Sequence, residues 1–125
     1  MYAANPYNTY KQNSVNMASR EQLLLMLVDG AVKYTRMARL AIEKKDIGRA
    51  HKELIRVQDI FTELMVTLDT SSEATKNLYN LYDFIKSQLV RANMKKDVTI
   101  IDEVLPLIEE IRDMWHETNN KAKGL

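Results

Sequence analysis

The sequence predicts an all-α fold, an antiparallel up-and-down four-helix bundle preceded by an N-terminal arm. Three observations carry that prediction. From residue 19 onward apolar residues recur at steps of three and four. Only three glycines and two prolines occur in 125 residues, so few breaks interrupt the period. The stretches between breaks run to about 22 residues, or about 33 Å of helix, and the short joins between them force neighbours to lie antiparallel.

Residues 1–18 form the expected arm. They contain "NPYNTYKQNSVNMA", show no helix or strand period, and hold three of the six tyrosines. The helical domain is expected over 19–120, with a flexible tail at 121–125. Helix 1 is placed at 19–45, because Ser19 followed by Gln22 makes a capping box and Lys44 and Lys45 suit the negative end of a helix dipole. Helix 2, at 46–69, starts from Asp46 as N-cap and carries the cleanest core stripe: Ile47, Ala50, Leu54, Val57, Phe61, Leu64 and Leu68. Helix 3, at 72–94, is capped by Ser72, turns Leu78, Tyr82, Ile85, Leu89 and Ala92 inward, and ends at Asn93. Helix 4, at 97–119, opens on Asp97 with Ile101, Val104, Ile108, Ile111 and Trp115 inward. Two residues disturb the pattern. Gly30 costs about 1 kcal/mol against Ala and suggests a close helix crossing, and Pro106 removes a hydrogen bond and is expected to kink or break helix 4.

Composition narrows the function. Eighteen basic side chains against seventeen acidic ones leave no excess of positive charge for a phosphate backbone, which argues against nucleic acid. No cysteine is present, so the core holds without disulfides or thiolate metal sites. The longest apolar run, "LLLMLV" at 23–28, falls far short of the roughly 20 residues of a membrane span, and no signal pattern opens the chain. A cytoplasmic protein without membrane insertion is expected. Charge is segregated: residues 33–56 carry eight basic and three acidic groups, residues 97–117 one basic and seven acidic. Helices of opposite sign attract when they face each other, and such a divide also steers partners.

Catalytic chemistry finds little footing. A dinuclear metal bundle needs two Glu-x-x-His pairs, whereas only Asp113 and His116, with Glu109 and Glu110 a turn earlier, approach one. The other histidine, His51, has Gly48 three residues before it. No serine or threonine sits in a glycine-flanked elbow, and glycines at 30, 48 and 124 make no phosphate loop. The reading is therefore not an enzyme, with no cofactor and no metal. A metal-binding four-helix-bundle enzyme and a homo-oligomeric interaction protein stand as the alternatives.

What the sequence offers instead is surplus apolar surface. Helix 1 is apolar on all sides around 23–28, and helix 4 carries a second stripe, Ile100, Val104, Leu107, Ile111 and Met114. Another helix of the chain, a second subunit or a client chain must cover the extra faces. On helix 3, "NLYNLYDFIKSQL" sets Tyr79, Tyr82 and Phe84 close together, with Phe84 off the main stripe and paired with Leu81.

The segments "YNTYKQNSVNMASREQLLLMLVDGA", "NLYNLYDFIKSQLVRAN" and "EVLPLIEEIRDMW" resemble, in order and spacing, the flagellin-specific export chaperone family FliS, from about residue 2 to residue 116. The resemblance implies a small cytoplasmic helical bundle that binds the disordered C-terminal region of flagellin in apolar grooves. It prevents premature polymerisation and aids delivery to the flagellar export apparatus. Homodimers and a flagellar assembly regulator are further partners implied. Carried over by motif, Tyr7 and Tyr10 belong to an N-terminal lid and Leu23, Leu24 and Leu27 to the "EQLLLML" run. Asn80, Leu81, Tyr82 and Asp83 belong to the helix 3 signature, and Arg91 and Asn93 to "RAN"; Phe84 joins these candidates as a ring off the core stripe, which a binding groove would use. The sequence departs from the family pattern at Arg20, where proline is expected, at Val28, where an aromatic is common and a groove would be deeper, and at Pro106.

The 17 residues 2–18 span roughly 55 Å when extended, more than the length of one bundle helix. The arm can therefore reach a groove along the bundle, and Tyr7 and Tyr10 are expected to shield apolar surface there until a client arrives.

Overall fold

The computed structural model describes residues 19–124. Among these residues four helices follow one another: α1 (Arg20–Glu43), α2 (Ile47–Thr67), α3 (Glu73–Lys95) and α4 (Val98–Ala122). The expected up-and-down bundle is what they form. Each helix packs on its neighbours in sequence, and α4 closes the ring on α1. The expected arm over 1–18, with Tyr7 and Tyr10, lies outside the described residues.

Local chemistry fixes each start. Ser19 Oγ accepts from the Gln22 amide at 3.2 Å while Gln22 Oε1 accepts from the Ser19 amide at 2.9 Å. Ser72 and Thr75 repeat the reciprocal arrangement at the head of α3. The α1–α2 and α3–α4 joins share one device. Lys45 and Lys96 take left-handed backbone angles, φ 60° and 48°, a conformation glycine favours. The amide of the next residue then returns to the last turn, Asp46 to Ala41 O at 2.8 Å and Asp97 to Ala92 O at 3.2 Å. Those same aspartates cap the following helices, accepting from Arg49 and Thr99. One residue ends one helix and begins the next, which is why the joins are so short.

The core is filled by Leu27, Val28, Leu54, Val57, Phe61, Leu64, Tyr82, Ile85, Leu89, Ile101, Val104, Ile108 and their neighbours. Phe61 meets Tyr82 edge to face at 5.8 Å. Thr35 is fully buried and returns its hydroxyl to Ala31 O at 2.7 Å, so no polar group is stranded there.

Several expectations change. Pro106 does not break α4, which runs unbroken from Val98 to Ala122; the proline lies on the exposed face, so the carbonyl it frees, that of Asp102, lies towards solvent. The helix also outlasts its expected end, and residues 121 and 122, expected in a tail, belong to its last turn, where Lys121 pairs with Glu117 at 3.2 Å. The second stripe of helix 4 is mostly core: Ile100, Val104 and Ile111 are buried by the chain itself, leaving only Met114 exposed and Leu107 half-buried. Gly30 is not required by its crossing, since an added Cβ would meet the end of the Ile60 side chain at 3.4 Å, ordinary contact. Val28, 1% exposed, shapes no groove.

The charge divide closes the bundle. Arg36 pairs with Glu109, and Arg39 holds Asp102 through two hydrogen bonds, of 2.5 and 3.1 Å, joining basic α1 to acidic α4. Arg39 also reaches Glu43 at 2.8 Å.

Candidate functional site

The core leaves large apolar side chains outside it, and most of them gather around α3. Asn93 approaches His51 Nδ1 of α2, with Nδ2 at 3.0 Å and Oδ1 at 3.3 Å, and so marks the edge of α3 that meets α2. At about 100° per residue, Tyr79, Val90 and Met94 fall just outside that edge. On α2, Ile55 and Val66 fall just outside the edge marked by His51. All five are exposed, Val66 and Met94 to 75% and 80%. An antiparallel register anchored at His51 and Asn93 sets Ile55 level with Val90 and Val66 level with Tyr79. The result is an apolar seam along the outside of the α2–α3 pair.

A second seam runs along the other edge of α3, where it meets α4. Phe84 is 51% exposed, and Leu81, half-buried, packs on the core beside it. Tyr82 and Trp115 fix the level of the two helices, since the Trp115 indole Nε1 donates to the Tyr82 hydroxyl at 2.8 Å. In that register Phe84 stands level with Met114, and Arg91 level with the half-buried Leu107. Between the seams the outer face of α3 is polar, with Asn80 and Asp83 exposed. The helix is a polar bar with an apolar gutter on each side.

Among the residues expected from the sequence to contact a client, Phe84, Leu81, Asn80, Asp83 and Arg91 share this outer region of α3, and Arg91 donates to Gln88 at 2.9 Å. Asn93 sits half-buried at the α2 edge. Leu23 and Leu24 are half-buried against the core. Leu27, 3% exposed, and Tyr82, 1% exposed, are core residues whose side chains present no surface to a partner. Burial pushes the Tyr82 phenol up to about 12, the Trp115 hydrogen bond opposing the shift. The α2–α3 seam is the part sequence reasoning missed. Its signal lay in Tyr79, Val90 and Met94, spaced to fall on one stripe beside the core stripe.

The half-motif for a metal is dispersed. His116 pairs with Asp29 of α1 at 2.7 Å, Asp113 with Arg112 and Glu109 with Arg36. Among the described residues no three His, Cys, Asp or Glu side chains come together as a metal site. Among the same residues no helix is long and apolar enough to cross a membrane.

A bundle with a filled core and apolar seams on its outside belongs to the class of helical proteins that offer surfaces to partners. Comparison with known proteins gives the class a name. The family model described as "Flagellar protein FliS" matches residues 3–122. The flagellar secretion chaperone FliS of Bacillus subtilis (strain 168) is 39% identical over 117 residues, covering 94% of this chain and 88% of its own. That of Salmonella typhimurium is 33% identical over 129 residues, covering 98% and 96%. A solved structure described as a flagellar chaperone from bacteria superposes with a TM-score of 0.74 at 18% identity over 92% of this chain and 95% of that one, a likeness of fold. The chain belongs to the FliS family of flagellar secretion chaperones. Its relatives are named for a role in secretion rather than for a reaction, which agrees with the expectation that it is not an enzyme.

Proposed function

We propose that this protein is a cytoplasmic export chaperone that holds the disordered C-terminal region of flagellin against α3, keeping subunits from polymerising until they reach the flagellar export apparatus. The observation that carries the reading is the pair of apolar seams flanking one helix in a chain of the FliS family. A disordered segment laid across both seams would bury apolar residues at helical spacing in each and cross the polar bar of α3 between them. Phe84 and Leu81 anchor one seam, Tyr79 and Val90 the other, and Asn80, Asp83, Arg91 and Asn93 supply polar contacts along the way. Leu23 and Leu24 extend apolar contact at the head of α1. Tyr82 and Leu27 act from inside, by holding the helices that carry the seams. Tyr7 and Tyr10 of the arm cover seam surface when no client is present. A flagellar assembly regulator and a second copy of the chain are further partners for the same apolar surface, each competing with client.

The experiment is titration of the full chain with a flagellin C-terminal fragment, followed by calorimetry and circular dichroism. Tight binding is expected, with a negative heat-capacity change and helix gained on mixing. Spectra that merely add, with no heat, overturn the reading.

A further inference from the structure

The outside of the α1–α2 pair differs in character from both seams. A depression of about 460 Å³ and an adjoining one of about 240 Å³ share Met37 and Arg49 as lining and together form one groove between the two helices. Its apolar strip is Met37 and Leu40, the latter 51% exposed. Lys44, Arg49, Lys52 and Arg56 rise along it.

Two of those cations are held in place from below. Glu53 is 2% exposed and pairs with Arg56 at 3.1 Å and Arg49 at 3.6 Å, so one buried carboxylate orients two guanidinium groups. Arg56 also lies 5.1 Å from the centre of the Tyr34 ring, with Lys33 at 5.6 Å from the same ring. Guanidinium groups fixed before a partner arrives lose little side-chain entropy on binding. The space around Gly48 at the mouth is open, since a Cβ there would meet nothing within 4 Å. Glu53 and Asp46 offset only part of the charge, and the groove remains positive.

We propose that the α1–α2 groove is a second docking site, for an acidic amphipathic helix of a partner protein. Such a helix lays leucine-like side chains on Met37 and Leu40 and sets carboxylates against Lys44, Arg49, Lys52 and Arg56. Charge complementarity selects an acidic partner, and the apolar strip between the cations selects a helix over a bare polyanion. The site shares no residue with either seam of α3, so client and second partner can be held at once.

The test uses the full chain with methyl-13C methionine. Three methionines report on three surfaces: Met37 on the groove, Met94 on the α2–α3 seam and Met114 on the α3–α4 seam. The probe is a fluorescein-labelled peptide of about five helical turns with Leu at helical spacing and Glu elsewhere, compared with a peptide that keeps the Leu residues and replaces every Glu by Lys. The Glu peptide is expected to shift the Met37 methyl, leave Met94 and Met114 in place, and bind less tightly as salt rises. Lys52→Glu, at an exposed position, is expected to weaken it by about tenfold while Phe84→Ala leaves it unchanged. Equal binding of the Lys peptide, indifference to Lys52→Glu, or shifts confined to Met94 or Met114 would overturn the proposal. So would capture of equimolar phosphatidylglycerol–phosphatidylcholine vesicles without capture of the peptide. Weaker flagellin binding by Phe84→Ala with the Met37 response intact would separate this site from the client surface.

Discussion

Trp115 donates its indole N–H to the hydroxyl of Tyr82 at 2.8 Å, a bond that ties α4 to α3 through a phenol that is almost wholly buried. The ring beneath it meets Phe61 of α2 edge to face. Three helices thus converge on one tyrosine, and the two apolar seams of α3 depend on where that tyrosine holds it.

The Tyr82 phenol makes stability depend on alkaline pH. Its folded pKa, raised to about 12 by burial, lies above the value near 10 of an unfolded tyrosine. The unfolded chain therefore releases this proton first. The phenol's contribution is complete below about pH 10 and is lost as pH rises towards 12, a loss of roughly 2–3 kcal/mol. Tyr82→Phe gives up the Trp115 bond, about 1 kcal/mol at neutral pH, but has no phenol to ionise. Urea denaturation of the two proteins from pH 7 to 11.5 should show the wild-type advantage shrinking and then reversing. A constant difference would place the hydroxyl in solvent.

At the acid end the relevant pair is Arg39 and Asp102. The hydrogen bonds from Arg39 hold the Asp102 carboxyl below the usual carboxylate range, with its charge adding and partial desolvation opposing. Stability from this group is complete above about pH 4, the unfolded value, and is lost as pH falls through the lower folded value. Asp102→Asn should therefore lower the melting temperature at pH 7 slightly and flatten its fall below pH 4. The effect is small, because both side chains are exposed to water.

The helical period, the caps at Ser19, Asp46, Ser72 and Asp97, and the core stripes of α2 and α3 were legible in the sequence, because each depends on spacing along one helix; only Ile47, at the first turn of α2, falls out of its expected stripe and is 49% exposed. The seams were legible only in part. Phe84 stood out because it broke its own helix's stripe, whereas Ile55 and Val66 become a seam only when α3 lies beside α2, a relation between helices that no local pattern states. Helix 4 misled for the same reason. Its two stripes look like surplus on one helix, yet α1 and α3 cover both, so Ile100 and Ile111 are core. Tyr82 carried two readings, inward from the stripe of its helix and client-facing from the family signature, and its burial decides for the stripe.

Gly30 offers a gain in stability. It lies within α1, where glycine costs about 1 kcal/mol against alanine, and its left-handed freedom goes unused. The added methyl would rest on Ile60 and Tyr34 at ordinary contact distance. Gly30→Ala is expected to stabilise the fold by about 0.5–1 kcal/mol, read as a rise of a few degrees in melting temperature. A fall would mean that Ile60 cannot yield and that the α1–α2 crossing needs its glycine.

The two seams make separable contributions to client binding. Phe84 and Val90 lie on opposite edges of α3 and are half-exposed, so truncating either costs the fold little. Each of Phe84→Ala and Val90→Ala should weaken a flagellin C-terminal fragment by about five- to thirtyfold, with the double variant near the product, as for sites that share no partner. Calorimetry on the four proteins checks it. A large effect from one change and none from the other would confine the client to a single seam.

The arm supplies the last prediction. If Tyr7 and Tyr10 cover a seam in the free protein, they compete with client, and the measured affinity is the intrinsic one reduced by the fraction of molecules whose seam is open. Removing an intramolecular competitor then tightens binding without adding any contact to the client. Tyr7→Ala with Tyr10→Ala should raise affinity for the flagellin fragment and, in the free protein, shift the methyl resonance of Met94 or Met114, whichever seam the arm covers. A fall in affinity, with those resonances unmoved before client is added, would make the two rings part of the client site instead.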